Sequence, residues 1–265
     1  MKRLIVTADD VGLHPGMTRG ALAAHDQGIV TAVSVSPNGR DFEEAVELLR
    51  DRPRLEVGAH LTLVGERPLS PPEKIPSLVG ADGALHSGYP AFVLRYAAIR
   101  AADLETELRA QVEKLLATGL EVVHLNSHQH LHVLPRVLDI VERLAQEHGI
   151  PAVRIPNEPE VSFTLRGLQI ALLNALGRNA RFRTVGVMVA GHLNPERLRR
   201  CLDQVEGLTE LVCHPGLGEI DYSWGYEWEE ETAALCDPAL PDLLREKGIS
   251  LGSFKDSRAP RLLPR

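Results

Sequence analysis

Apolar positions in this chain fall into short runs separated by stretches of helical period. Residues 4–8, 29–36, 55–61, 120–126, 152–155, 184–189, 209–213 and 249–253 are rich in aliphatic and β-branched side chains and read as strands. The segments 17–27, 41–51, 103–118, 135–148, 165–178, 195–206 and 228–247 read as the helices between them. Leu104, Leu108, Val112 and Leu115 share one helical face with Glu and Lys opposite. Pro135 suits a first helical position, and Val137, Leu138, Val141 and Leu144 continue the stripe behind it. Seven or eight strands alternating with helices over 265 residues predict an α/β fold: a barrel of parallel strands, irregular or incomplete, with an open doubly wound sheet as the alternative. One domain is expected. The Pro- and Gly-rich stretch 64–100 is too long for an ordinary βα loop and reads as a lid-like excursion after the third strand, a tolerated surface insertion being the plainer reading.

Composition narrows the partners. With 29 basic against 36 acidic residues the formal charge is −7, which argues against nucleic acid or an anionic membrane as the main partner. Cys201, Cys213 and Cys236 form no CxxC pair, so a disulfide framework is not expected and a reducing compartment is. The apolar run behind Met1-Lys2-Arg3 is too short for a signal peptide, and no run reaches membrane-spanning length. A cytoplasmic enzyme without an integral membrane segment fits these traits, and a homodimer is admissible.

The candidate chemistry sits at the carboxyl ends of the predicted strands. Asp9 and Asp10 end the first, His60 the third, Asn126 and His128 the fourth, Arg154 the fifth and His214 the seventh. In a parallel barrel that face holds the active site, so these residues would converge there. Two adjacent carboxylates at the end of a buried strand demand compensation, which a divalent metal would supply. One of the two could hold metal while the other stays free as a base, the turn through Gly12 bringing both to the mouth; an N-cap and an exposed aspartate would be the bland reading. His60 alone would pass for a core histidine, but its company makes it a ligand candidate. In His124-Leu125-Asn126-Ser127-His128-Gln129-His130-Leu131-His132, one or two imidazoles would suffice; His128 lies just past the strand and His132 competes with it. An Asp, His, His set suits Zn²⁺, Fe²⁺, Co²⁺ or Mn²⁺ better than Mg²⁺. Arg154 could pair with Asp9 and hold it ionised. His214, followed by Pro215-Gly216, is placed for proton donation, whereas Cys213 reads as core. Tyr222, Trp224, Tyr226 and Trp228 could stack on sugar rings or form a packed corner.

The segments Thr7-Ala8-Asp9-Asp10-Val11-Gly12-Leu13, Gly58-Ala59-His60-Leu61, His124 to His132, Arg154-Ile155-Pro156 and His214-Pro215-Gly216 together resemble the YdjC-like carbohydrate deacetylases. That resemblance implies hydrolysis of the acetamide of an N-acetylated sugar or glycolipid. It implies one divalent ion, Mg²⁺ by the family's habit, on Asp10, His60 and His128, with Asp9 as base, His214 as acid and Arg154 as orienter. The stretch around Gly65 to Leu69 and Pro71 to Pro76 resembles the branch associated with hopanoid biosynthesis, which would imply an N-acetylglucosaminyl hopanoid lipid. Two positions depart from the family. Val11 stands where phenylalanine is common, and Asn126 where many members have aspartate, which would remove a carboxylate near His128 and lower metal affinity. A barrel phosphoesterase, which would want two or three metals and more basic residues, and a noncatalytic sugar-binding barrel are the rival readings.

Overall fold

A computed structural model of the chain describes residues 1–156, 172–173, 175–177, 180, 186–189 and 192–256. Eight strands lie among them: β1 (Lys2–Val11), β2 (Ala32–Val35), β3 (Glu56–Leu61), β4 (Val122–Ser127), β5 (Ala152–Val153), β6 (Gly186–Val189), β7 (Leu208–Cys213) and β8 (Ile249–Leu251). All ladders between them are parallel, in the order β5-β4-β3-β2-β1-β7-β6, with β8 on β1. Among the described residues no ladder joins β5 to β6, so the described strands form an open part of a barrel, within the irregular or incomplete barrel expected. The predicted helix at 165–178 falls largely outside the described residues.

Helices α1 (Pro15–Asp26), α2 (Phe42–Arg50), α4 (Ala101–Leu116), α5 (Pro135–Glu147) and α6 (Pro195–Asp203) occupy the connections, and α3 (Tyr89–Arg95) lies within the long excursion. The single helix expected over 228–247 is two, α7 (Trp228–Leu235) and α8 (Leu240–Glu246). Pro238 has no N–H to continue the ladder, and the Asp237 carboxylate accepts from the Ala239 N–H at 2.9 Å, starting a new turn.

Outward strand residues such as Val6, Val33, Ala59 and Leu125 join the helices in one apolar core. The inward set is layered. At the amino-terminal end Ile5, Ala32, Val123 and Ala152 pack around Phe254, which follows β8 and whose ring stacks on His124 at 4.2 Å. Above this plug the lining turns polar: Thr7 and Asp9 of β1, Ser34 of β2, His60 of β3, His124 and Asn126 of β4 and Glu210 of β7 are all buried. Gly58 makes room for this layer, since a Cβ there would collide with the His124 ring.

The 64–100 excursion is folded on α4 rather than loose. Ile75, Leu78, Leu85 and Phe92 are buried, and a short antiparallel bridge joins Val79 to Leu85. Buried acids of α4 fasten it: Glu107 accepts the N–H groups of Leu69 and Ser70, and Asp103 that of Ser77. These bonds replace water on backbone donors that packing would otherwise strand.

Candidate metal centre and active site

Asp9 and Asp10 are both buried at the end of β1 and face the same mouth. The expected pivot was Gly12, which does adopt a left-handed φ of 85°, but Asp10 itself turns first, at φ 64°. A register shift between Ala8 and Val11 in the β1–β2 ladder marks the bulge. Without it, neighbouring residues of a strand would point to opposite faces. A non-glycine residue in this conformation is strained, and such strain concentrates where a site needs a side chain re-aimed.

Asp10 Oδ1 lies 3.0 Å from His60 Nε2 and 3.0 Å from His128 Nδ1. Asp10, His60 and His128 each offer an atom such that all three fall within 4.8 Å of one another. His60 Nδ1–H donates to Asn126 Oδ1 at 2.8 Å, which leaves a lone pair on Nε2. Nε2 is buried and makes no hydrogen bond, although it faces a carboxylate oxygen. Two acceptors turned toward each other in a dry site need a cation between them, so the donor set fits a divalent metal. Among the described residues this is the one such cluster. His132 is elsewhere: its Nε2 pairs with the Arg154 carbonyl at 2.6 Å and its Nδ1 with Ser127 Oγ at 2.7 Å. Both nitrogens being used, His128 rather than His132 joins the cluster.

Asp9 is held differently. Arg154 grips it with Nη1 to Oδ2 at 2.5 Å and Nη2 to Oδ1 at 2.9 Å, and Asn126 Nδ2 donates to Oδ1 at 3.1 Å. Burial is the largest single influence and would raise the Asp9 carboxyl, but the Arg154 charge and hydrogen bonds, with the His60 and His214 charges, together hold the group well below the usual carboxylate range. Glu210, unmarked in the sequence reading, takes the other side of Arg154 at 2.6 Å, so a buried guanidinium stands between two carboxylates. Asn126 links the two parts, since its amide bridges His60 and Asp9 and also reaches Ser34 Oγ at 2.8 Å. The sequence reading set this residue beside His128; its side chain supports His60 instead. The lone polar residues in the apolar runs at Ser34 and Glu210 were the available signal for this network.

His214 follows β7, and its charge reaches Asp9. Its backbone N–H donates to the buried Glu231 of α7 at 2.6 Å, and Glu231 also accepts from Leu193 at 3.3 Å. Burial pushes the Glu231 carboxyl up to about 7. Gly20 of α1 and Gly216 abut without side chains, and a Cβ on Gly20 would collide with the Gly216 backbone, which explains the turn after Pro215. Cys213 is buried with its thiol donating to the Thr7 carbonyl at 3.3 Å, and burial pushes that thiol up, so it is core. Part of the aromatic run lies against site histidines: the Trp224 ring packs on His128 at 4.6 Å, tilted by 35°, and Tyr226 stacks on His214 at 4.5 Å.

The chain matches the family described as YdjC-like protein over residues 3–246. A carbohydrate deacetylase of Geobacillus stearothermophilus is 32% identical over 262 residues, covering 95% of this chain and 96% of its own. A chitooligosaccharide deacetylase of Serratia marcescens is 29% identical over 263 residues, covering 96% and 99%. A crystal structure of an Enterococcus faecalis V583 protein, named for cellobiose-phosphate cleavage, superposes with a TM-score of 0.78 at 25% identity, covering 96% and 98%. These proteins and this chain therefore match over nearly the whole of each other's length. Since the shared pattern runs from β1 through α8, the chain belongs to the YdjC-like protein family.

Proposed function

We propose that this protein hydrolyses the acetamide of an N-acetylated amino sugar, free or in a glycolipid, and releases acetate. The observation that carries the reading is the division of labour at the end of β1: Asp10 faces two imidazoles, while Asp9 beside it is ionised and clamped by Arg154. The relatives named as carbohydrate and chitooligosaccharide deacetylases give the substrate class. One divalent metal on Asp10, His60 and His128 would supply Lewis acidity toward the acetamide carbonyl and toward water. Ligand chemistry admits Zn²⁺, Co²⁺ or Mn²⁺, and the family resemblance Mg²⁺.

Asp9 takes the proton of the attacking water. Its anchoring makes it a weak base but keeps it ionised and ready to accept until the proton arrives, aimed by the Arg154 fork and Asn126. Oxygen adds to the acyl carbon, the C–N bond breaks, and His214 gives a proton to the leaving amine, so acetate and a free amino sugar result. Arg154 neutralises and orients Asp9, and Asn126 keeps His60 Nε2 unprotonated and facing Asp10. One three-residue cluster among the described residues fits one ion, where a phosphoesterase clamp uses two or three.

The test is acetate release from N-acetylated sugars and an N-acetylglucosaminyl lipid after chelation and readdition of single metals. Activity should vanish on chelation and return at one equivalent. Release of phosphate from monoesters without acetate release would overturn the reading.

A further inference from the structure

A cavity of about 150 Å³ opens beside the imidazole of His128, away from Asp9, with Glu66, Gln129, Tyr222 and Trp224 among its walls. Three separate parts of the chain meet there: the start of the excursion, the turn after β4 and the aromatic run after β7. Glu66 Oε1 accepts from the Tyr222 hydroxyl at 2.6 Å. Glu66 Oε2 takes no hydrogen bond from any other described residue, and the carboxylate is half-buried. Gln129 is held in a left-handed turn at φ 55°, and its Oε1 accepts from the Tyr89 N–H at 2.8 Å. Its amide nitrogen is thus left to donate. Trp224 is held against His128 by their tilted ring contact and by Tyr222, whose ring lies 4.4 Å from its own.

An aromatic face, an acceptor-only carboxylate and an amide donor around a small void match the chemistry of a pyranose. Such a ring has an apolar C–H face and an edge of hydroxyls that both donate and accept. An acyl or terpenoid tail would leave Glu66 Oε2 desolvated and without a donor, which is costly. We propose that this cavity is the pyranose subsite and that Glu66 is its specificity-determining residue, its Oε2 accepting from a ring hydroxyl while Tyr222 fixes the carboxylate. The proposal rests on the deacetylase reading only in that the ring's acetamide points to Asp10, His60 and His128; a lipid aglycone would lie outside the cavity.

The metal-loaded protein is assayed for acetate release from N-acetylglucosamine and from acyclic N-acetylethanolamine, in wild type, Glu66→Ala and Tyr222→Phe. Melting temperature and metal stoichiometry serve as checks on folding. Glu66→Ala should lower the preference for the sugar, read as the ratio of kcat/KM values, by about tenfold or more, chiefly through KM, because a lost hydrogen bond to a charged group costs that order. Tyr222→Phe should lower it less. An unchanged ratio overturns the proposal. Calorimetric binding of N-acetylglucosamine separates the two claims. If wild type releases no acetate, the deacetylase reading falls, yet the subsite stands where the sugar binds and Glu66→Ala weakens it about tenfold. Binding that is absent in wild type, or equal in both proteins, removes the subsite.

Discussion

Asn126 shows how a single amide can serve both halves of a site. Its Oδ1 fixes the tautomer of His60, and its Nδ2 steadies Asp9. Asn126→Ala should weaken metal affinity about 10- to 100-fold, the usual cost of removing the partner of a metal-binding imidazole. Much of the acetate release should return at saturating metal, and a metal titration with an activity readout checks both. Aspartate at this position, common in the family resemblance, would accept from His60 equally but would set a second carboxylate against Asp9 Oδ1. With asparagine there, Arg154 is left to face two buried carboxylates, Asp9 and Glu210, with no third beside them.

Gly58 and the bulge at Asp10 set the geometry at the scale of strands. A methyl group on Gly58 would press into the His124 ring, which is itself sandwiched by Phe254. Gly58→Ala should therefore cost about 1–3 kcal/mol in chemical denaturation, the usual cost of overpacking. The strands and the polar residues at their ends could be read from the sequence because buried parallel strands are apolar runs, in which a charge stands out. Asp9, Asp10, His60, His128 and Arg154 were found in this way, and the structure gathers them. The left-handed turn at Asp10 could not be read, since no residue type signals it there. Nor could Glu66, an acidic residue in a loop whose meaning comes only from Tyr222, 156 residues away; the helix break, by contrast, was legible in Pro238, which ends a helical period at the residue before it, and a single helix over 228–247 overlooked it.

Across the whole barrel, the cost of a polar interior appears in its response to acid. Burial pushes the imidazoles of His124 and His132 down to about 3, so both are neutral in the folded chain. Unfolded, each titrates near 6.5. Between those values the unfolded chain binds more protons at these two sites, so their contribution to stability is full above about pH 6.5 and is lost as the pH drops toward 3, while Glu231, pushed up to about 7, opposes part of this loss between pH 7 and its unfolded value. Asp9 adds to the same trend at lower pH, since its carboxyl is held below its unfolded value by Arg154. Urea midpoints of the chelated protein should fall steadily from pH 7 to pH 5. His132→Gln, which removes one of these sites, should give a shallower slope whatever its midpoint at pH 7, and a slope equal to wild type would contradict the assignment.

The proposed chemistry needs adjacent aspartates with different tasks, one facing His60 and His128 and the other clamped by Arg154. The most direct test is metal stoichiometry and acetate release measured together on Asp9→Asn and Asp10→Asn. Asp9→Asn should still bind one equivalent of metal while acetate release falls by about 10²–10⁴-fold, the range for losing a general base, and Asp10→Asn should lose the metal itself. Near-normal turnover in Asp9→Asn, or metal lost equally from both, would contradict it.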